Sequence, residues 1–146
     1  MLNQLKGVFK SFQENDVKYL VMGGIAAILY GVPRATFDLD ILIKATPDNT
    51  RRLLKALLDA GLGTAAMITA QEILANEITV FNDIVRIDVQ TSTPGITFEK
   101  AWENRRIMKY QEQEFIVISK EELVASKSAA GRKVDIDDVR ALSDSE

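Results

Sequence analysis

The strand predicted over Asp38–Ile43 constrains the fold more than any other segment, because it is apolar except for two aspartates. Successive side chains of a strand point to opposite faces, so Asp38 and Asp40 share one face while Leu39 and its alternate neighbours share the other. Two like charges about 4 Å apart repel by roughly 4 kcal/mol at an effective dielectric constant of about 20. The pattern therefore predicts a strand with one buried face and a cation between the two carboxylates.

The composition limits the chemistry that such a metal site can have. The chain contains no histidine and no cysteine, which excludes a histidine base, a thiol nucleophile and a zinc–thiolate site. Oxygen ligands remain, and they favour a hard cation such as Mg²⁺ or Mn²⁺. The lack of cysteine also fits a cytoplasmic protein, and no apolar run approaches the roughly 18 residues of a membrane span.

The net charge of −3 gives the chain no general basic surface for nucleic acid. Local basic pairs occur at Arg51-Arg52, Arg105-Arg106 and Arg132-Lys133, and we interpret each of them as solvated surface. Nucleic-acid binding is therefore neither supported nor excluded by charge.

With 146 residues the chain is expected to form one domain over 1–146, with a sheet core over 1–118 and a helical tail over 119–146. Hydrophobic spacing and turn residues predict the order α-β-α-β-α-α-β-β-α-β-β-α-α, which is typical of an α/β or α+β domain. Asn82-Asp83 is expected to form a tight hairpin turn between the strands Ile78–Phe81 and Ile84–Gln90. The last helix is expected over about Ile136–Leu142.

A third carboxylate, Asp88, falls on the predicted strand Ile84–Gln90. It would meet Asp38 and Asp40 if the two strands pair. Three carboxylates on neighbouring strands supply the hard oxygens that two Mg²⁺ ions bind, with positions left for water and phosphate. The alternative is a solvated sheet face, but beside the first two aspartates the metal site is the better hypothesis.

The Gly23-Gly24 pair lies between a predicted strand and a predicted short helix. Backbone N–H groups at a helix N-terminus attract phosphate through unsatisfied donors and the helix dipole. A plain turn explains the pair equally well when it is considered alone.

Together these motifs resemble the minimal nucleotidyltransferases of the DNA polymerase β superfamily. The resemblance is carried by Gly23-Gly24, by the run Gly31-x-x-Arg34-x-Thr36-x-Asp38-Leu39-Asp40, and by the later strand aspartate. The chain is most similar to the abortive-infection-type (AbiEii-like) nucleotidyltransferases, which include toxins of bacterial toxin–antitoxin pairs. A second motif, running from Leu123 to Val139, resembles theirs as well, so the resemblance covers about residues 17–142.

The resemblance implies a nucleotidyltransferase fold, a mixed sheet flanked by helices with a short helical tail. It implies Mg²⁺-dependent transfer of a nucleoside monophosphate from an NTP such as ATP to an acceptor hydroxyl. The acceptor could be tRNA, a protein or a small molecule, and the partner a toxin or an antitoxin. The implied metal and catalytic residues are Asp38, Asp40 and Asp88, with Asp88 also drawing the acceptor proton. The implied nucleotide-binding residues are Gly23, Gly24, Arg34, Thr36, Lys127 and Asp138.

Several of these roles have ordinary structural alternatives. Lys127 lies on the apolar side of its predicted helix, and it could extend along that helix to solvent instead of contacting phosphate. Asp135 and Asp138 suit the N-cap and first turn of the last helix. Arg34 and Thr36 either bind phosphate, pair with the aspartates or serve an ordinary loop.

The chain also departs from the family pattern. The superfamily usually has Gly-Ser where this chain has Gly23-Gly24, so a hydroxyl contact to phosphate is missing. The chain is shorter than many of the toxins as well. Two further functions therefore stay open, an antitoxin-type enzyme that acts on or binds a partner toxin and a catalytically degenerate NTP-binding module.

Overall fold

A mixed six-stranded sheet forms the centre of the molecule in our computed structural model, which describes residues 2–144. The strands are β1 (Tyr19–Met22), β2 (Asp38–Ile43), β3 (Ile78–Asn82), β4 (Arg86–Gln90), β5 (Arg106–Tyr110) and β6 (Gln113–Val117). Their order across the sheet is β3-β4-β2-β1-β6-β5. Positions 1, 145 and 146 of the predicted domain lie outside the described residues.

Seven α-helices accompany this sheet in the described part of the chain. They are α1 (Leu2–Glu14), α2 (Gly23–Leu29), α3 (Pro47–Asp59), α4 (Ala70–Leu74), α5 (Phe98–Glu103), α6 (Lys120–Ala130) and α7 (Lys133–Asp144). A 3-10 helix over Gly63–Met67 precedes α4. The predicted fold class is confirmed, because a mixed sheet is flanked by helices in the predicted order. None of the helices in the described residues is both long and apolar enough to cross a membrane.

Local signals explain why several helices begin and end where they do. The Thr46 hydroxyl accepts a hydrogen bond from the Asn49 N–H at 3.2 Å, and Pro47 occupies the first position of α3. Ser119 caps α6 in the same way, by accepting from the Glu122 N–H. Gly131 then ends α6 in the left-handed conformation, with φ of 67°.

Two predicted boundaries were wrong. β4 begins at Arg86 rather than Ile84, so the hairpin turn is the three-residue connection 83–85. The Asp83 carboxylate accepts hydrogen bonds from the N–H and hydroxyl of Thr64 and from the Ile84 N–H, which holds this connection away from the ladder. The last helix begins at Lys133 instead of about Ile136, because Asp135 accepts from the Arg132 N–H and supports an earlier first turn.

The core lies where the helices cover the sheet. Leu39, Ile41 and Ile43 of β2 are fully buried, as the alternation predicts. Phe9 of α1 stacks on Phe115 of β6 with ring centroids 4.6 Å apart. This burial on one side of β2 leaves its aspartates to face the other side.

The register of the central strands positions the site. β2 runs antiparallel to β1 and parallel to β4, so Asp40 lies between Met22 on one side and Asp88 on the other. β3 pairs antiparallel with β4 at the sheet edge, which places Val80 opposite Asp88. Residues that are opposite each other in a sheet share a face, so this row runs from the centre of the sheet to its edge.

Candidate active site

Three carboxylates converge on one face of the sheet. Asp38 and Asp40 come from β2 and Asp88 from β4, and each offers an oxygen that lies within 4.8 Å of the other two. All three side chains are half-buried, so they stay open to a ligand from the cavity above. The structure thus brings together the three residues that the alternation of β2 and β4 singled out.

The surroundings of Asp40 disfavour the charged form of its carboxylate. Burial raises its pKa to about 7, and the neighbouring Asp38 and Asp88 carboxylates add to the effect. Lys127 and Arg132 act in the opposite direction through space. Burial and neighbouring like charge thus disfavour the ionised form of Asp40, and a bound cation would favour it.

Gly23 makes room for this arrangement. Its backbone has φ of 66°, and a Cβ added there would lie 2.8 Å from Cβ and Cγ of Asp40. The turn from β1 into α2 thus passes directly against the Asp40 carboxylate. A side chain at this position would be strained and would displace a metal-ligand candidate.

The carboxylates open into a cavity of about 420 Å³, here called the site cavity. Gly23 and the three aspartates line one part of it, and Lys127 and Arg132 line another. Asp88 is held toward it by Arg86, whose Nε and Nη2 donate to the two carboxylate oxygens at 3.0 and 3.2 Å. Negative and positive groups thus face one space.

Lys127 is buried and ion-paired. Its Nζ lies 2.8 Å from Oδ2 of Asp138 and 3.7 Å from Oδ1 of Asp135, and the residue is only 4% exposed. The alternative in which Lys127 extends to solvent is therefore wrong. The hydrophobic spacing that placed it on the apolar side of α6 was a correct signal.

Asp138 joins α7 to the loop before β2. Arg34 donates to it with Nε at 2.9 Å and Nη2 at 2.8 Å, in a two-point pair. Burial alone would raise the pKa of Asp138, but the hydrogen bonds from Arg34 and Lys127 outweigh it and hold that pKa below its ordinary value. The N-cap role considered for Asp135 and the first-turn role considered for Asp138 are wrong, since α7 begins at Lys133, which places Asp135 in the first turn and Asp138 five residues into the helix.

The sequence interpretation assigned Arg132-Lys133 to solvated surface, and the Arg132 side chain is 73% exposed, but its place in the site was missed. Its guanidinium lines the site cavity and makes a two-point pair with Asp135, at 2.7 and 3.1 Å. Lys133 does lie in solvent, with its side chain 92% exposed. The available signal was Gly131 followed by Arg132 and Asp135, because a left-handed helix end turns the chain back and an acid three positions later can pair with the arginine.

Arg34, Lys127, Arg132, Asp135 and Asp138 together form what we call the charged cluster. It contains three cations and two carboxylates, and it links α6, α7 and the loop before β2 beside the site cavity. Burial opposes ionisation of Asp135 as it does for Asp138, but the Arg132 hydrogen bonds hold the pKa of Asp135 below its ordinary value. Both carboxylates are thus charged and matched with cations.

Gly24 and Thr36 occupy adjoining space behind Gly23. A Cβ on Gly24 would lie 2.9 Å from the Thr36 hydroxyl and 3.0 Å from Nη2 of Arg34. The Thr36 hydroxyl in turn donates to Oδ1 of Asp38 at 3.2 Å. The space that a serine at position 24 would need is thus filled by a hydroxyl from another part of the chain.

The predicted site residues therefore divide into two groups. Those that line the site cavity are Gly23, Asp38, Asp40, Asp88 and Lys127. Those that lie behind this lining are Gly24, Arg34, Thr36 and Asp138. Arg34 pairs with Asp138 and Thr36 with Asp38. Pairing with aspartates is one of the alternatives that the sequence left open for these two residues.

Two solved structures share this fold. A crystal structure of an antigenic nucleotidyltransferase-like protein from Paracoccidioides brasiliensis aligns with 94% of this chain and 72% of its own, at 19% identity and a TM-score of 0.59. The lincomycin-bound crystal structure of the lincosamide antibiotic adenylyltransferase LnuA aligns with 100% of this chain and 98% of its own, at 18% identity and a TM-score of 0.62. At these identities the similarity shows the fold alone.

No curated protein sequence matches the chain. A family model described as "Nucleotidyltransferase of unknown function (DUF6036)" matches residues 2–143. The expected nucleotidyltransferase superfamily is thereby confirmed, while the narrower resemblance to abortive-infection-type enzymes stays a prediction. The chain, matched over nearly its whole length and carrying three convergent carboxylates, belongs to this family of nucleotidyltransferases.

Proposed function

We propose that the protein is a Mg²⁺-dependent nucleotidyltransferase that moves a nucleoside monophosphate from an NTP to a hydroxyl of an acceptor. One observation carries the proposal. The carboxylates of Asp38, Asp40 and Asp88 converge on a cavity that Lys127 and Arg132 also line. Acidic ligands and cations that face one space are what a metal-bound triphosphate requires.

The donor set fits a hard divalent cation. Carboxylate oxygens from two adjacent strands lie within 4.8 Å of one another, and the chain has no nitrogen or sulfur ligand of the kind that zinc sites use. Asp38 and Asp40 would hold two Mg²⁺ ions, with Mn²⁺ as a substitute, and Asp88 would complete one of the two sites. When bound, the ions would neutralise charge on the triphosphate during transfer.

The chain's own residues would then orient the reactants. We assign Asp88 as the group that receives the proton of the acceptor hydroxyl, because its carboxylate faces the cavity from β4, which is closer than β2 to the sheet edge formed by β3. The acceptor oxygen forms a bond to the α-phosphorus, and the bond between that phosphorus and the bridging oxygen breaks. Pyrophosphate leaves with the electron pair of the broken bond.

The phosphate-binding assignment follows the distribution of cations and backbone donors. Lys127 and the backbone of Gly23 and Gly24 would hold the β- and γ-phosphates. Arg34, Thr36 and Asp138 would act from behind the cavity lining, through Lys127 and Asp38. Asp138 contacts Lys127 at 2.8 Å and Thr36 contacts Asp38 at 3.2 Å, while Arg34 contacts Asp138 at 2.8 Å, and these contacts support that indirect role.

The acceptor and cellular role are drawn from similarity. LnuA is by name an adenylyltransferase and was solved with a small molecule bound, which makes ATP the first NTP to test and a small molecule the first acceptor class. A cytoplasmic toxin–antitoxin role, with tRNA or a protein as acceptor or a partner toxin, rests on the motif resemblance. Co-purification with the product of a neighbouring gene would favour that role.

Labelling with each NTP carrying radioactive α-phosphate tests the proposal. Purified protein, Mg²⁺ and whole-cell extract should give a labelled product, and Asp38→Asn and Asp40→Asn should abolish it while circular dichroism shows the fold intact. Asp59→Asn, which changes an exposed aspartate on α3, is the matched control and should retain labelling. Persistent labelling in the first two variants would refute the mechanism, and NTP binding without any transfer would indicate the degenerate binding module.

A further inference from the structure

The face of the sheet that carries the three aspartates continues to an open apolar edge. Val80 lies opposite Asp88 across β3 and β4, and Ile78 lies opposite Gln90 in the next row. Both apolar side chains are about half exposed, at 48% for Val80 and 54% for Ile78. Ile78 lines the site cavity together with Asp88, so the apolar strip and the carboxylates belong to one surface.

This strip lies next to the residue to which we assign the acceptor proton. Side chains directly opposite each other in antiparallel strands have Cβ atoms about 5 Å apart. An acceptor whose hydroxyl reaches Asp88 from the β3 side therefore places its adjoining atoms over Val80 or Ile78. The triphosphate would occupy the other part of the cavity, which Lys127 and Arg132 of the charged cluster line.

The charge along this part of the chain argues against a polyanionic acceptor. Residues 78–97 contain one cation, Arg86, and two acids, Asp83 and Asp88. Arg86 is already paired with both oxygens of Asp88. RNA acceptors are held largely through phosphate contacts to Lys and Arg, and this side of the cavity offers no free group of that kind within residues 78–97.

We infer that the acceptor is a small uncharged or cationic molecule that bears a hydroxyl beside an apolar face, and that Ile78 and Val80 bind this face. The inference deepens the proposed function and rests on it. Binding of the apolar face against the strip would bring the hydroxyl to Asp88, and RNA would find no free cationic side chain within residues 78–97 to hold its phosphates.

The test uses the full chain, Mg²⁺ and NTP labelled on the α-phosphate, with two fractions of one cell extract as probes. These are the small-molecule filtrate and the total RNA, and the protein fraction is assayed beside them. Ile78→Ser removes apolar contact without adding charge. Ile107→Ser is its matched control, because Ile107 lies on the other edge strand, β5, and is 53% exposed.

We expect label in the small-molecule filtrate. Ile78→Ser should need about tenfold more filtrate for half-maximal labelling, because loss of a buried isoleucine contact weakens binding of the acceptor by about that factor. The half-saturating NTP concentration of Ile78→Ser should change by less than about twofold. Ile107→Ser should match the wild type in the amount of filtrate and in the NTP concentration that give half-maximal labelling. Thermal melting of each variant verifies folding.

Three results would overturn the inference. These are label only in RNA or protein, an Ile78→Ser variant that labels filtrate as the wild type does, and a wild-type dimer that Ile78→Ser dissociates. The last result would assign the strip to contact between copies of the chain. Failure of the proposed function gives a different result, because no fraction would then take up label even where calorimetry shows NTP binding.

Discussion

The missing side chain of Gly23 leaves the space that the Asp40 carboxylate occupies. With φ of 66° and Asp40 atoms 2.8 Å from where a Cβ would stand, an alanine there would both strain the backbone and push a ligand group aside. Gly23→Ala should therefore lose Mg²⁺ binding, measured by calorimetry, besides about 1 kcal/mol or more of stability.

Gly61→Ala separates these two effects. Gly61 has φ of 93° at the end of α3, with nothing within 4 Å of an added Cβ. It should lose a similar amount of stability and keep the metal affinity of the wild type. Equal metal affinities in all three proteins would show that the turn at Gly23 does not set the carboxylate geometry.

Asp40 gives the metal-free protein a pH dependence of known sign. Its pKa rises from 3.8 unfolded to about 7 folded, through burial and the Asp38 and Asp88 charges, so the folded state binds the extra proton between these values. Stability therefore falls as the pH rises from about 4 to about 7. In EDTA at about pH 8, the free energy of unfolding of Asp40→Asn should be about 1–3 kcal/mol higher than that of the wild type. At about pH 4 the two proteins should differ little. A constant difference in urea titrations at both pH values would contradict this.

At the scale of elements, the charged cluster attaches α6 and α7 to the loop before β2. Asp138→Asn would leave the partly buried Arg34 without its carboxylate and the buried Lys127 with only the longer Asp135 contact, which should cost about 3 kcal/mol of unfolding free energy in urea titrations. The pKa of Asp138 is depressed, so this contribution is present above about pH 4 and is lost as the pH falls through the folded pKa.

Asp137→Asn is the control on the same helix. Asp137 makes an exposed pair with Lys133 at 3.5 Å, and such pairs contribute little. Its replacement should leave the urea midpoint within error. Equal losses for Asp137 and Asp138 would show that the cluster is only surface charge.

The elements themselves could be predicted because each has a local signal. The alternation in β2, the cap and proline at Thr46-Pro47 and the glycine at 131 all act within a few residues. The hairpin was misplaced because the bonds that shape it come from Thr64, nineteen positions away. The Arg34–Asp138 pair joins residues 104 positions apart, so no local pattern contains it.

At the scale of the whole molecule, the site depends on strands that are distant in sequence. β2 and β4 pair in parallel register, and this pairing alone brings Asp88 beside Asp40. A cation that binds only the folded state stabilises it by mass action. At about tenfold excess over its dissociation constant, Mg²⁺ should raise the melting temperature by about 3–5 °C in a chain of this size.

EDTA should reverse this rise in melting temperature. Asp88→Asn should reduce the Mg²⁺-dependent rise, and it should change the melting temperature measured in EDTA by less than that reduction. Ca²⁺ at the same concentration serves as the comparison for ion type. An identical Mg²⁺ shift in the wild type and in Asp38→Asn would mean that the ion binds elsewhere on the protein.

The central claim is that the chain cleaves an NTP between its α- and β-phosphates and keeps the nucleoside monophosphate on an acceptor. Parallel reactions with NTP labelled at the α- or the γ-phosphate, followed by separation of product from pyrophosphate, test it most directly. We expect α-label in the acceptor product and γ-label in pyrophosphate, both dependent on Mg²⁺ and on Asp38. Label from the γ-phosphate in the acceptor, or as free phosphate, would contradict it.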